Sequence, residues 1–160
     1  MLKTIRTKLG ILCLLPLSAF AGTGQLSPGL FFPELTAQDQ HEEAISISPG
    51  VRHVVVTFSM GEGKKTNAYF AGKGAGFLAA KNAVLINDIH PMPGVGRMFA
   101  LPKMRKYPHR IFLADEEGLL DPFPRQVGLV TVFDLDEELR ILAIRFWDPA
   151  SGSDPFQTGE

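Results

Sequence analysis

The chain has 160 residues, of which 45% are hydrophobic and 21% are charged, with 16 Lys and Arg residues against 17 Asp and Glu residues. This length predicts one domain that is large enough to build its own core. The formal net charge of −1 argues against a general nucleic-acid binder, which would carry a basic patch or stripe.

Residues 1–21 have the pattern of a secretory signal peptide. Three basic residues come first, then the apolar run 9–20, and then the small-x-small sequence AFA at 19–21. The run is shorter than the about 20 residues that a membrane-spanning helix needs. We therefore expect cleavage after Ala21 and a periplasmic or secreted protein without a membrane anchor. An uncleaved N-terminal anchor is the alternative. The basic residues are Lys3, Arg6 and Lys8.

The chain has one cysteine, Cys13, and it lies inside the predicted signal peptide. Cleavage would leave 160 − 21 = 139 residues with no thiol and a formal charge of 13 − 17 = −4. Small exported domains often depend on disulfides. This one is expected to depend on packing alone.

The first half of the domain begins with residues 30–48, whose two short apolar stretches around a polar middle predict a β-hairpin. The β-branched and aromatic run 51–60 predicts a strand buried on both faces. Gly61-Glu62-Gly63 then ends this strand, and apolar residues at helical spacing predict a helix over 64–81, weakened by three glycines. These glycines are Gly72, Gly74 and Gly76.

In the second half, a buried strand is predicted over 83–89 and a helix over 95–106, with Met98, Phe99 and Leu101 facing inward. A third strand over 110–114 and a proline-broken connection lead to a closing hairpin with an acidic turn. Alternating strands and helices predict an α/β fold with a mainly parallel sheet. The hairpin strands are residues 129–135 and 139–147; the domain is 22–148, and 149–160 is a flexible tail.

Several segments between residues 31 and 147 resemble the thioredoxin-like superfamily, in particular its peroxiredoxin and TlpA-like branches. The segments are LFFPELTAQDQHEEAISIS, VRHVVVTFS, YPHRIFLADEEG and VGLVTVFDLDEELRI. The resemblance implies a central sheet with flanking helices, an N-terminal β-hairpin and a C-terminal antiparallel strand pair. It also implies that reactive cysteines would stand between the first central strand and the following helix. Residues 59–66 occupy that place and contain none, which leaves no thiolate for disulfide exchange or peroxide reduction.

The same segment is a candidate anion site, because backbone N–H groups at a helix start and two lysines attract negative charge. It is not a P-loop, since Phe58 stands where that motif needs a glycine. The alternative is a solvated strand–helix turn. The candidate residues are Gly61, Gly63, Lys64, Lys65 and Thr66.

A second group of candidates surrounds Asp88, at the carboxyl end of the 83–89 strand, where open α/β sheets often bind ligands. Met60, His90 and Met92 would supply thioether and imidazole ligands for copper(I), which favours soft sulfur. The alternative is an ordinary loop histidine with methionines that fill the core.

Arg125 is a candidate through the resemblance, which places a substrate-binding arginine near it. It would pair with Asp88 or with a carboxylate ligand; the alternative is a surface salt bridge. The G-x-G-x-G sequence at 72–76 would suggest a flavin or nicotinamide site, but no strand leads into it, as that fingerprint requires.

The leading hypothesis is an exported thioredoxin-like domain without thiol redox activity, which binds a protein or small-molecule partner and holds no cofactor. Periplasmic copper handling is the first alternative. A small flavin- or nicotinamide-dependent oxidoreductase is the second. Whether the protein is an enzyme stays open at this point.

Overall fold

The computed structural model describes residues 24–157. The predicted signal peptide and Cys13 lie outside these residues. Within them the chain forms seven strands, three α-helices and a short 3-10 helix. None of the helices in this range has the length and apolar character needed to cross a membrane.

A five-stranded mixed sheet forms the centre of the fold, in the order β5-β4-β3-β6-β7. Strands β3, β4 and β5 are parallel neighbours, and β6 and β7 join them as an antiparallel pair. This arrangement confirms the predicted fold class. The bounds are β3 His53–Thr57, β4 Ala83–Asp88, β5 Phe112–Ala114, β6 Val130–Leu135 and β7 Ile141–Trp147.

The predicted N-terminal hairpin is confirmed as β1 (Leu35–Gln38) and β2 (Ala44–Ile47). The two strands pair antiparallel from Leu35 opposite Ile47 to Gln38 opposite Ala44. Ile45 and Ile47 are buried in the main hydrophobic core together with the inner face of the sheet. Burial of this one apolar side fixes the register, because a one-residue slip would turn both isoleucines into solvent.

The helix predicted over 64–81 is two helices, α1 (Met60–Lys73) and α2 (Phe77–Ala80). Gly61-Glu62-Gly63, predicted to end the strand and to precede the helix, belongs to the first turn of α1. Ser59 accepts a hydrogen bond from the Glu62 N–H, and the Glu62 carboxylate accepts one from Phe58 N at 2.8 Å. The sequence S-M-G-E thus forms a variant of the capping box, in which Glu62 accepts from the N–H of Phe58 and not from that of the N-cap residue Ser59. Gly74 ends the helix with φ at +96°, a conformation that favours glycine.

The second long helix, α3, runs from Gly94 to Met104 and lies close to the predicted range. The prediction that Met98 and Phe99 face inward is wrong: they are 69% and 64% exposed, and no residue of α3 is fully buried. Only Leu101, the third of the residues predicted to face inward, is partly covered. The apolar spacing was correct for a helix, but the sheet edge beside it covers only part of its surface.

The two faces of the sheet carry separate cores. One core joins Val54, Val56 and Phe133 to the hairpin, to Phe32 and to Phe123. The other joins Val55 and Leu85 to α1 through Phe70, whose side chain is fully buried. The consecutive valines of β3 serve both cores, which explains why the strand reads as a continuous apolar run.

Residues 149–157, which belong to the tail predicted to be flexible, pack against the second core. Pro149–Ser151 forms a 3-10 helix, and Ser153 O accepts a hydrogen bond from Trp147 Nε1 at 3.1 Å. Phe156 is buried, with its ring stacked 6.0 Å from that of Phe70. The sequence predicts a loose segment because most of its residues are polar or small, but the burial of Phe156 anchors it.

Candidate functional site

A cavity of about 340 Å³ opens at the carboxyl ends of the parallel strands β3 and β4, between α1 and α3. Open α/β sheets often bind ligands outside the carboxyl ends of their strands. The cavity brings together five of the residues singled out in the sequence. They are Met60, Gly63, Lys64, Asp88 and Met92.

The inner wall of the cavity is polar. Thr57, at the end of β3, donates a hydrogen bond to Asn87 Oδ1 on β4 at 3.0 Å. Asn87 Nδ2 is buried and has no hydrogen-bond partner within residues 24–157. The Cα of Gly63 lies above this pair, and a β-carbon there would reach Asn87 Nδ2 at 3.5 Å. A distance of 3.5 Å is ordinary van der Waals contact, so the first turn of α1 lies close to the strand ends but leaves room for a β-carbon at this position.

A buried histidine extends this wall beneath α1. Asn67 donates from Nδ2 to Gly63 O at 2.8 Å, so its Oδ1 accepts a hydrogen bond from His109 Nε2 at 2.9 Å. This geometry assigns the proton to Nε2, and the Nδ1 lone pair has no donor in the described part of the chain. Burial lowers the pKa of His109 from 6.5 to about 4, which keeps the ring neutral at pH 7.

The mouth of the cavity is apolar with a basic border. Met60 on α1 and Phe99 on α3 line it, although their side chains are 62% and 64% exposed. Val95 and Met98 on α3 are similarly exposed. Lys64 and Lys103 contribute the two ammonium groups of the lining. Val95 and Met98 lie outside the lining of the cavity, and we call Met60 and Phe99 the apolar rim.

The predicted anion site is divided by the helix geometry. Lys64 lines the cavity, Lys65 is exposed outside it, and Thr66 is buried beneath α1 with no hydrogen-bond partner for its hydroxyl within residues 24–157. Gly63 N–H is already bonded to Ser59 O at 2.9 Å, and Glu62 places a carboxylate in the first turn. The carboxylate of Glu62 therefore offsets part of the positive partial charge at the N-terminus of α1.

Asp88 and Arg125 lie near each other but make no ion pair. Burial raises the pKa of Asp88, partly offset by a hydrogen bond from His90 N and by the charge of Arg125. The Arg125 guanidinium lies over the Phe58 ring, 4.6 Å from its centroid. Arg125 is therefore beside the cavity and outside its lining.

The three candidate copper ligands are not all in one place. Met60 and Met92 line the cavity, whereas His90 is exposed beside it, with Nδ1 placed 3.2 Å from the Asp115 carbonyl oxygen. Among residues 24–157 there is also no group of three or more His, Cys, Asp or Glu side chains arranged for a metal. The glycines at 72–76 lie at the far end of α1, away from the cavity.

The sequence did not predict most residues of the inner wall, nor the lysine that α3 contributes to the mouth of the cavity. Asn67, Asn87, His109 and Lys103 gave no recognisable pattern, since each belongs to a different element. One feature was visible: Asn87 follows four apolar residues, AVLI, inside the strand predicted over 83–89. A polar side chain at a predicted buried position often marks a site.

Comparison with known proteins identifies the fold. No family model and no curated protein sequence matches the chain. Solved structures do match, and one is a putative thiol:disulfide interchange protein DsbE from Chlorobium tepidum. Its TM-score is 0.56 at 13% identity, over 80% of this chain and 92% of that chain.

Two further structures agree with this match. Peroxidoxin BcpB from Mycobacterium tuberculosis has a TM-score of 0.53 at 14% identity, over 80% of this chain and 92% of that chain. The thioredoxin domain of a thiol-disulfide oxidoreductase from Bacteroides vulgatus has a TM-score of 0.51 at 17% identity, over 76% and 89%. At such identities the likeness shows the fold alone. The chain therefore has a thioredoxin-like fold, as the sequence resemblance implied.

The thioredoxin-like fold is present here without a cysteine in residues 24–157. The turn where the resemblance places the reactive thiols carries Ser59-Met60-Gly61-Glu62, and the Ser59 hydroxyl is used as a helix cap. The side chains that surround this turn carry apolar, amide, carboxylate and ammonium groups. None of these side chains supplies a thiolate nucleophile.

Proposed function

We propose that this protein is an exported binding or accessory protein that uses a thioredoxin-like fold without thiol chemistry. It holds an apolar group of a partner protein or small ligand in the cavity between α1 and α3. The observation that carries the proposal is the apolar rim over a cavity with a polar inner wall. Export rests on the basic start and apolar run of residues 1–21.

The apolar rim supplies the driving force for binding. Complete burial of one side chain such as that of Phe99 is worth about 1.5–3 kcal/mol relative to exposure. Exposed apolar clusters bordered by polar groups mark interaction sites more often than chance. Lys64 and Lys103 at the border favour a ligand whose apolar body carries a negative or hydrogen-bond-accepting group.

The size of the cavity limits what it can take. Small-molecule sites range from about 300 to 1,000 Å³, and a cavity of about 340 Å³ stands at the lower end. It fits one side chain or a small amphipathic molecule better than a dinucleotide. The dimensions therefore favour the binding role over a flavin- or nicotinamide-dependent oxidoreductase.

One experiment tests the loss of thiol chemistry. The purified protein is incubated with dithiothreitol as the electron donor and, in separate assays, with insulin or hydrogen peroxide as the substrate. We expect the rates of insulin reduction and peroxide consumption to equal those of dithiothreitol alone. Turnover of either substrate by the purified protein would overturn the proposal.

A second experiment tests the cavity. The probe is 1-anilinonaphthalene-8-sulfonate, an aromatic anion that matches an apolar rim bordered by lysines, and its fluorescence reports binding. We expect Phe99→Ala to weaken binding at least fivefold and Lys64→Ala about twofold to fivefold. Phe146→Ala is the matched control, because Phe146 is 41% exposed on β7 and does not line the cavity. Equal affinities for Phe99→Ala, Phe146→Ala and the unmodified protein would remove the cavity from the proposal.

Copper(I) binding is a second candidate function, favoured by the presence of two thioether side chains, Met60 and Met92, in one cavity. A competition titration with a copper(I) chelator would compare the protein with Met92→Leu and His90→Ala. Copper(I) handling predicts that Met92→Leu weakens binding at least tenfold. Equal and weak binding by all three proteins would reject it.

A further inference from the structure

The four methionines of residues 24–157 gather at one place in the fold. Met60, Met92 and Met104 come from α1, from the loop after β4 and from α3, and all three line the cavity between the two helices. Met98 lies on α3 beside them, outside the lining. Methionine is flexible and polarisable, and clusters of it at a surface repack around partner side chains of varied shape. The cavity therefore has the chemistry of a docking groove for apolar side chains.

Helix α3 carries an apolar surface that the rest of residues 24–157 leaves largely uncovered. Val95, Met98 and Phe99 follow the i, i+3, i+4 spacing of one helix face, and they are 64–69% exposed. We call these three residues the exposed face of α3. No residue of this 11-residue helix is fully buried. Because most helical stability in proteins comes from packing of an apolar face, α3 would be stabilised by a partner that covers it.

The charge around this surface is positive. Lys64 and Lys103 line the cavity against one acid, Asp88. Lys65 and Lys106 are exposed and adjoin lining residues in the sequence. With the carboxylate in the first turn of α1 included, the four lysines still outnumber the two acids, and none of the four makes a salt bridge within residues 24–157. This balance favours a partner that carries acidic groups beside its apolar ones.

The walls of the groove decide which backbone conformation of a partner fits. The two side walls are α1 and α3, and beyond their ends the backbone N–H and C=O groups of a helix are bonded within it. An extended segment would lose hydrogen bonds to water and find no backbone partners on such walls. A helical segment satisfies its own backbone and presents side chains only. A lipid surface is a poorer match, because a flat surface does not fill a concave cavity of about 340 Å³.

We propose that the groove between α1 and α3 binds an acidic amphipathic helix of a partner protein. One apolar side chain of that helix enters the cavity between Met60 and Phe99, and apolar side chains one turn away cover Val95 and Met98. Glutamate or aspartate residues at the border of its apolar face lie beside Lys64 and Lys103. This inference rests on the proposed binding function and names the class of partner that the cavity takes.

The probe is a fluorescein-labelled peptide of about 18 residues, which is long enough to form a helix. It has leucine at positions i, i+3, i+4 and i+7 and glutamate and alanine elsewhere, and fluorescence anisotropy measures its binding to the full protein. Three control peptides change one property each. The first spreads the same leucines around the helix, the second has lysine in place of glutamate, and the third has proline at two central alanines, which prevents a continuous helix.

We expect each control peptide to bind at least tenfold more weakly than the probe. Equal binding by the lysine peptide would overturn the proposal, because the lysines of the groove would then select nothing. Equal binding by the proline peptide or by the peptide with spread leucines would also overturn it, since neither presents the apolar face of a helix.

Variants of the exposed face of α3 separate this surface from the cavity. Val95→Gln with Met98→Gln changes exposed residues outside the cavity lining and should weaken probe binding at least fivefold. Leu142→Gln, 55% exposed on β7, is the matched control and should leave the affinity unchanged. An unchanged affinity of the double variant would overturn the proposal. Sedimentation with phosphatidylglycerol vesicles that the double variant abolishes, without any binding of the probe, would overturn it in favour of a lipid surface.

The dye 1-anilinonaphthalene-8-sulfonate distinguishes failure of this inference from failure of the proposed function. The double variant should bind the dye within twofold of the unmodified protein, because neither changed residue lines the cavity. If dye binding depends on Phe99 but the probe does not bind, the cavity remains a binding site and the helical partner is wrong. If the dye does not depend on Phe99 and the probe does not bind, both proposals are wrong.

Discussion

Acidification should destabilise this protein through His109, well above the pH at which carboxylates titrate. In the folded state the ring is neutral, and burial lowers its pKa from 6.5 to about 4. The unfolded chain therefore binds a proton more readily than the folded one between these values. The stabilising contribution is complete above pH 6.5 and is lost as the pH falls toward 4.

The size of the effect follows from the two pKa values. At pH 5, protonation of His109 raises the ratio of unfolded to folded protein by a factor of about 30. This factor corresponds to a loss of about 2 kcal/mol in the free energy of unfolding. At pH 7 the same term is close to zero. We therefore expect the free energy of unfolding to fall by about 2 kcal/mol between pH 7 and pH 5 from this residue.

Urea denaturation at the two pH values measures the effect. The single tryptophan, Trp147, is buried, so its fluorescence reports the transition. His109→Gln is the control, because glutamine does not titrate and can donate to Asn67 Oδ1 as the ring does. Differences between the two proteins cancel the contributions of the other histidines and of the carboxylates. If His109→Gln loses as much stability as the unmodified protein between pH 7 and 5, the reasoning about this buried ring is refuted.

Four further changes test the fold in urea denaturation. Phe156→Ala should lower the free energy of unfolding by about 2–3 kcal/mol, against less than about 0.5 kcal/mol for the exposed Phe146→Ala; similar values would show that the tail does not anchor the core. Ser59→Ala should cost about 1 kcal/mol through loss of the helix cap, and no change would contradict the capping box. Gly63→Ala should be neutral or stabilising by up to about 1 kcal/mol, because a β-carbon meets only contacts of 3.5 Å and glycine is a poor helix former. Gly74→Ala, at φ +96°, should instead destabilise by about 1 kcal/mol, and the reverse order would contradict both assignments.

The candidate site was only partly predictable, because its residues come from elements that are distant in sequence. Met60, Lys64, Asp88 and Met92 were found because they flank recognisable strand ends. Asn67 and His109 could not be found, since their role depends on a hydrogen bond across 42 positions of sequence. Phe99 was assigned to the core because helical spacing shows that one face is apolar but not whether anything covers that face.

The sequence by itself determined the order of the elements, the parallel centre of the sheet and the two closing strands. Periodicity and turn residues are local, so these features are written in short segments such as HVVVT and VTVFDL. Tertiary structure alone decided that α3 leaves an apolar face exposed, that Phe156 holds the tail, and that three methionines from different segments line one cavity. Each of these is a question of which surface meets which, and burial between distant segments is settled only when the whole chain is packed.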